Sequence, residues 1–322
     1  MRSIVSSLNG PVFQDVETPV VAAECVLVKI KAAALNRADL DMATGGSHGA
    51  AGGIGFPLGL EWSGEIIEVG DGVTQWSVGD RVMGASPGAF SEFIIARLGW
   101  IYPIPDSLSF EEAAALPVAL QTMHDAIVSN GQLTSGQSVL IQGASSAMGL
   151  MGMQIAKHLG ASHIIGTSTS LERRDKLAEY GATHVIDTKA DNWLKAVYKA
   201  TRMKGVDVSI DLLAGPLVNT TLQATRVGGR MVNVGRMAGN AGLFDFDQHS
   251  MRRITYVGVT FRTRTPAEIM AVIARATEDL LPALASGAIK MPIDHVYRCD
   301  EYGTAFERMA QNKHFGKLVL TF

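Results

Sequence analysis

The chain is short of cysteine: Cys25 and Cys299 are the only two in 322 residues. Two thiols cannot build a disulfide framework or a Cys-rich zinc site. Charge of one sign is also missing. Lys+Arg number 28 and Asp+Glu 31, a net charge of -3, without the basic excess that marks a nucleic-acid partner. No run approaches the roughly 20 apolar residues of a membrane helix, and residues 1–16 lack the apolar stretch of a secretory signal. These absences lead us to expect a cytoplasmic protein without membrane or nucleic-acid partners.

What is present is a globular composition, 47% hydrophobic and 18% charged. The length is about twice that of one domain, and glycine is abundant at 34 residues. The first 120 residues read as short strands between turns. Residues 26–32 alternate apolar and basic side chains, 65–69 and 90–96 are similar, and Gly70-Asp71 and Gly79-Asp80 supply turns. Residues 45–59 are too glycine-rich to hold regular structure. They read as a flexible surface loop or as the mobile rim of a binding site.

Ser109 with Glu112 forms a capping-box pattern, so a helix should begin there. Pro117 interrupts it, and a second helical stretch should run to about Ser129. The pattern then changes. Residues 138–142, 163–167, 184–187, 206–211, 230–234 and 255–261 are short apolar runs. Helical stretches such as 149–158, 171–180 and 217–225 separate the first five. Apolar strands alternating with helices specify a parallel sheet covered on both faces, and six strands suit a doubly wound nucleotide-binding fold. Thr265, Pro266 and Glu268 should open a long helix that ends at Gly287. One more helix, about 301–311, and a strand at 317–322 should close the chain.

The turn after the first strand of this alternation is Gly143-Ala144-Ser145-Ser146-Ala147-Met148-Gly149. Small residues there let backbone amides approach a pyrophosphate at the positive end of the next helix. Ala144, Ser146 and Gly149 occupy the three positions of the usual G-x-G-x-x-G, so Ala144, Ser146, Ala147, Met148 and Gly149 are candidate cofactor contacts. An NAD site places a carboxylate about 20 residues further on. Ser168 stands there instead, followed by Arg173 and Arg174, which suits the 2′-phosphate of NADPH. The same arginines would also serve as solvated helix charges. Lys189, past the third strand, could assist.

Five motifs in order, Ala34-Leu35-Asn36-Arg37-Ala38-Asp39, Gly59-Leu60-Glu61-Trp62-Ser63-Gly64, Val78-Gly79-Asp80-Arg81-Val82, the glycine turn and Gly316-Lys317-Leu318-Val319-Leu320, resemble the medium-chain dehydrogenase/reductase superfamily. Within it the chain is similar to the zinc-independent, zeta-crystallin-like quinone oxidoreductases. The resemblance implies an α/β fold in which a GroES-like catalytic domain, 1–122 plus 288–322, holds an inserted doubly wound Rossmann NADP-binding domain, 123–287, with the active site in the cleft between them. It also implies a homodimer.

The alcohol dehydrogenases of the superfamily have a cysteine where this chain has Asn36 and a histidine where it has Leu60, and they carry a four-cysteine lobe absent here. Catalytic zinc needs about three Cys, His or carboxylate ligands. Glu61 alone survives, so no metal is expected. Eight histidines are present, but none forms a paired ligand spacing, and His48 and His124 suit loop or helix surfaces. Without a metal, the acceptor must already be electrophilic, and the cofactor supplies the hydride. The resemblance assigns Asn36 to the acceptor or nicotinamide and Thr122 to the nicotinamide. Gly235, Phe261, Arg262, Thr263 and Lys317 join the cofactor contacts. The expected activity is NADPH-dependent hydride transfer to a quinone. The alternatives are reduction of an enone, alkenal or enoyl thioester, or a non-catalytic nucleotide-binding protein of the crystallin kind.

Overall fold

The computed structural model describes residues 1–322. The chain forms two compact units, one of 1–121 with 261–322 and one of 122–260.

In the first unit, the ten-residue strand Cys25–Ala34 is the hub of a seven-stranded sheet. Lys29 is exposed between the buried Val28 and Ile30, but Leu27 and Ala32 to Ala34 are buried too, so the strand is covered on both faces over most of its length rather than alternating. It pairs antiparallel with Glu61–Val69, Phe93–Arg97 and Lys317–Thr321. The last pairing returns the chain's end to its beginning, Val319 opposite Ala34 and Leu320 opposite Ala33. Trp62, Phe90 and Leu58 fill the core on one side of this sheet. Gly59 makes that packing possible. Its φ is +89°, and a Cβ there would sit 2.7 Å from the Phe90 backbone nitrogen, so only glycine can lead into Leu60 and Glu61.

The glycine-rich stretch is more ordered than its composition suggests. Ser47–His48 and Ala51–Gly52 pair as a small hairpin, and Ala51 is buried. Glycines at positive φ supply its turns.

The second unit holds a six-stranded, wholly parallel sheet in the order His184–Ile186, His163–Thr167, Ser138–Gln142, Val206–Asp211, Thr225–Asn233, Thr255–Gly258. This is the Rossmann order. Its reversal lies beside Ser138–Gln142, so the turn after that strand opens at the switch point where such sheets bind nucleotides. All five side chains of Ser138–Gln142 are buried, which explains why the run reads as continuously apolar rather than alternating.

Several features differ from the sequence expectation. The helix Pro266–Ala285 groups with the first unit, not with the nucleotide-binding one. Met270 packs over Gly99, and Ser107 Oγ donates to the Ala285 carbonyl at 2.9 Å. A helix at Trp193–Ala200, absent from the sequence reading, buries Trp193 and Val197. The stretch 171–180 is two short helices, Leu171–Asp175 and Leu177–Tyr180, with Lys176 between them. After Pro117–His124 the chain continues as a π-helical segment, Asp125–Asn130, a widened form that recurs near functional sites. His124 is fully buried in that helix, not on its surface.

Candidate active site and nucleotide site

In the first unit, the strand pairings bring three distant segments to one point. Glu61 lies opposite Ala34, and the Leu35 amide donates to the Leu318 carbonyl at 2.9 Å. Asn36, Glu61 and Lys317 therefore meet at the end of the central strand. Lys317 Nζ donates to Glu61 Oε1 and to Asn36 Oδ1, the latter at 2.7 Å, and approaches the Leu35 carbonyl at 3.4 Å. Asn36 Nδ2 donates to Glu61 Oε1 at 2.9 Å. The Val118 amide donates to Glu61 Oε2 at 2.9 Å. The Asn36, Glu61 and Lys317 side chains are buried, and a buried charge is tolerated only when so partnered.

Asp39 completes the cluster. Its Oδ2 accepts from the Asn36 amide at 2.7 Å, while its Oδ1 is buried without a partner. Burial, the largest influence, pushes its carboxyl up to about 7, against the lowering effects of the Asn36 amide and Lys317.

Lys317 was expected to touch the cofactor. The structure instead commits its three donors inside this cluster. A strand-end lysine in a Gly-Lys motif carries no sign, in sequence, of the carboxylate it will meet. Asn36 is likewise turned inward, its amide on Glu61 and its oxygen on Lys317. Sequence reasoning missed Asp39 as a site residue altogether. The spacing Asn36-x-x-Asp39, a helix-capping pattern, was the available signal.

Phe261, Arg262 and Thr263 follow the strand Thr255–Gly258 and belong to the first unit. Arg262 packs against the hairpin, 3.1 Å from where a Cβ on Gly49 would stand. His48, on that hairpin, is held below the usual imidazole range by burial and by the Arg262 charge.

In the second unit, the turn 143–149 has the form of a phosphate cradle. Ser146 caps the twelve-residue helix Ala147–His158 by accepting from the Gly149 amide at 3.2 Å. The amides of Ala147 and Met148, at the first two helical positions, lack intrahelical partners and point where an anion is favoured. A Cβ on Gly149 would lie 2.4 Å from Ala144 Cα. The strand end is braced from behind by a buried relay. Gln142 Nε2 donates to Thr221 Oγ1 at 3.1 Å, Thr167 Oγ1 donates to Gln142 Oε1 at 2.8 Å, and the Gly143 amide donates to Thr167 Oγ1 at 3.1 Å.

Ser168 Oγ lies 3.0 Å from Ser145 Oγ, joining the two strand ends. Arg174 donates to the Ser168 carbonyl at 2.9 Å and forms a 2.9 Å ion pair with Asp187. Arg173 precedes it in the short helix, its amide capped by Ser170 Oγ. Lys189 is exposed, and its amide donates to Asp187 Oδ1. Gly235 follows the strand Thr225–Asn233, where a Cβ would lie 2.3 Å from the Leu212 carbonyl oxygen. Asn36 and Thr122 belong to different units. This arrangement suits a dinucleotide whose pyrophosphate sits on the turn and whose adenosine ribose lies toward Ser168.

Residues 22–106 match the family model described as alcohol dehydrogenase GroES-like domain, and 147–278 that described as zinc-binding dehydrogenase. The chain is 29% identical over 305 residues to highly reducing polyketide synthase 40 of Fusarium pseudograminearum (strain CS3096), covering 94% of this chain and 12% of the synthase. It spans 4% to 14% of the polyketide synthases it matches among the first relatives. It is 28% identical over 328 residues to quinone oxidoreductase of Rattus norvegicus, covering 99% of this chain and 97% of that protein. The crystal structure of CurK enoyl reductase superposes with a TM-score of 0.87 at 26% identity, covering 99% of this chain and 98% of that one. A GroES-like unit followed by a parallel nucleotide-binding unit defines an NAD(P)-dependent oxidoreductase type, and the chain belongs to the medium-chain dehydrogenase/reductase superfamily.

The residues of this chain do not offer a zinc site of the kind that dehydrogenase name implies. No group of three or more His, Cys, Asp and Glu side chains is placed to hold a metal ion. Glu61 has both oxygens engaged, one by an ammonium, and Leu60 offers no donor. A cation here would meet the Lys317 charge. The donor set does not fit zinc at this position.

Proposed function

We propose that the protein transfers hydride from NADPH to a quinone without using a metal. The observation that carries this reading is the Lys317–Glu61–Asn36 cluster. It fills the place from which a Lewis acid would polarise an alcohol, and leaves chemistry that suits an acceptor already electrophilic. NADPH, when bound, supplies the hydride. The turn amides and Gly149 seat the pyrophosphate, and Ser168 with Arg173 takes the 2′-phosphate. By resemblance, Thr122 places a hydroxyl beside the nicotinamide. Asn36 retains one lone pair on Oδ1 beyond its bond to Lys317, and its amide plane is fixed by that bond. Reduced quinone oxygens are weakly basic and take their protons from water, so the buried Lys317 need not release one. The full-length similarity to a quinone oxidoreductase supports this.

The polyketide synthase relatives and the enoyl reductase likeness favour one second reading, reduction of an activated double bond in an enone or enoyl thioester. That reaction must also protonate a carbon and benefits from a positioned acid. Anaerobic NADPH oxidation by the purified protein, against a panel of quinones and enones with and without chelator, tests both. Turnover on quinones unchanged by chelator is the expected result. Turnover on enones alone, or loss of activity on chelation, overturns it.

We propose that the protein acts as a cytoplasmic homodimer. No helix is long and apolar enough to cross a membrane. The strand Thr255–Gly258 forms an edge of the parallel sheet with Tyr256 39% exposed, and open edges invite pairing. Light scattering at micromolar concentration should give twice the chain mass.

A further inference from the structure

Gln142 ends the strand Ser138–Gln142 and is fully buried, as are Thr167 and Thr221, the two side chains it bonds. A side-chain amide buried after Val139, Leu140 and Ile141 is costly unless both its polar ends are partnered. One chain of hydrogen bonds uses both. The Gly143 amide donates to Thr167 Oγ1 at 3.1 Å, and Thr167 Oγ1 donates to Gln142 Oε1 at 2.8 Å. Gln142 Nε2 donates to Thr221 Oγ1 at 3.1 Å, and Thr221 Oγ1 donates to the Leu217 carbonyl at 2.9 Å.

The ends of the chain set its direction. A backbone amide only donates and a carbonyl only accepts, so Thr167 Oγ1 accepts from Gly143 and Thr221 directs its proton to Leu217. The Gln142 amide fits between them one way round. Turned over, it would aim its nitrogen at Thr167 Oγ1 and leave that buried hydroxyl proton without an acceptor, a costly arrangement.

The near end of the chain is the turn 143–149. Gly143 has φ +75°, and it is held on both sides. Its amide is taken by Thr167 Oγ1 and its carbonyl by Ser146 Oγ, at 2.8 Å. The Ala144 amide donates to the Thr167 carbonyl at 2.8 Å, so two successive amides point back into the strand end. Ser146 Oγ also accepts from the Gly149 amide, which ties the Gly143 peptide to the helix start at Ala147. The far end of the chain is Thr221, on the helix Val218–Ala224.

We propose that Gln142 is a positioning residue for the nicotinamide nucleotide, acting through Thr167 to hold the Gly143 peptide so that the helix start faces the pyrophosphate. The inference rests on the nucleotide reading of this turn. It makes Thr221, 79 positions further along the chain, the anchor of that turn.

Fluorescence titration of NADPH and of NADH into the full chain tests this. Gln142→Met keeps the side-chain length and removes both hydrogen bonds. It should weaken the two cofactors alike, about tenfold, the net contribution of one hydrogen bond. Gln142→Glu separates hydrogen bonding from volume. Burial keeps such a carboxyl protonated well above its ordinary value of about 4.3. The Asp211 carboxyl, at the same register on the neighbouring strand, pushes in the same direction. The protonated acid accepts from Thr167 and donates to Thr221, as the amide does. Its affinity should therefore match that of the wild type at pH 5.5 and fall below it by pH 8.5, where the acid loses its donor and buries a charge. Gln142→Met binding as tightly as the wild type, or Gln142→Glu binding no tighter than Gln142→Met at pH 5.5, overturns the inference and leaves the turn as the nucleotide site. A wild-type chain that binds neither cofactor overturns the nucleotide reading, and the inference with it.

Discussion

Lys317 and Glu61 stand 256 positions apart in the chain and share a buried ion pair, with side-chain exposures of 3% and 0%. The pair joins the C-terminal strand to the segment that follows Gly59, so the GroES-like unit is closed by chemistry as well as by strand pairing. Removing one partner of a buried pair leaves an uncompensated charge and costs about 3–5 kcal/mol. Lys317→Met should lower unfolding free energy by about that amount in a denaturant titration. Glu61→Gln should cost as much, because it leaves the Lys317 ammonium buried without a carboxylate and turns an amide donor toward it or toward the Val118 amide. A Lys317→Met protein as stable as the original would show that the pair is not desolvated.

Asp39 makes stability fall as pH rises. Its carboxyl titrates near 7 when folded, against an ordinary 3.8. The folded state thus holds this proton more tightly than the unfolded chain. The contribution is fully present below about pH 4 and is lost as pH climbs through 7. A shift of this size corresponds to about 4 kcal/mol. Urea titrations at pH 5 and pH 8 should show the loss, and Asp39→Asn should flatten that part of the profile. An unchanged slope in the variant would mean that other groups set it.

The doubly wound sheet was legible because its buried strands are runs of apolar residues and its turns carry glycine. The capping boxes at Ser109 and Thr265 were legible for the same local reason, and both form. The cluster was only half legible. Asn36 and Glu61 lie in recognisable motifs, but Lys317 reaches them through a strand pairing that no local pattern encodes. The hairpin at Ser47–Gly52 was obscured by composition. Glycine signals conformational freedom but does not say when positive φ is used to build a turn.

Gly149 tests the cradle directly. A methyl group there would press on backbone atoms of Ala144, which cannot rotate away as a side-chain tip can. Gly149→Ala should cost about 1–3 kcal/mol through strain and displace the helix start proposed to receive the pyrophosphate. Calorimetry should show NADPH and NADH weakened together, since both carry that group. Intact binding of both would place the pyrophosphate elsewhere.

Cofactor choice rests on the end of the strand His163–Thr167. Ser168 stands where an NAD enzyme places its carboxylate, which removes the charge that would repel a 2′-phosphate. Two arginines follow in the short helix Leu171–Asp175. Arg174 is held by the Ser168 carbonyl and Asp187, so its task is to fix the strand end. Arg173, one residue earlier, is the candidate for the phosphate. A hydrogen bond to a charged group contributes about 1.5–3 kcal/mol, or roughly ten- to hundredfold in affinity. Arg173→Ala should weaken NADPH by that factor and leave NADH nearly unchanged in fluorescence titrations. Arg174→Ala should weaken both, because the brace is common to both. Ser168→Asp should reverse the preference by restoring the carboxylate. Equal loss of both cofactors in Arg173→Ala would make that residue structural, and a wild-type preference for NADH would remove the 2′-phosphate from this strand end.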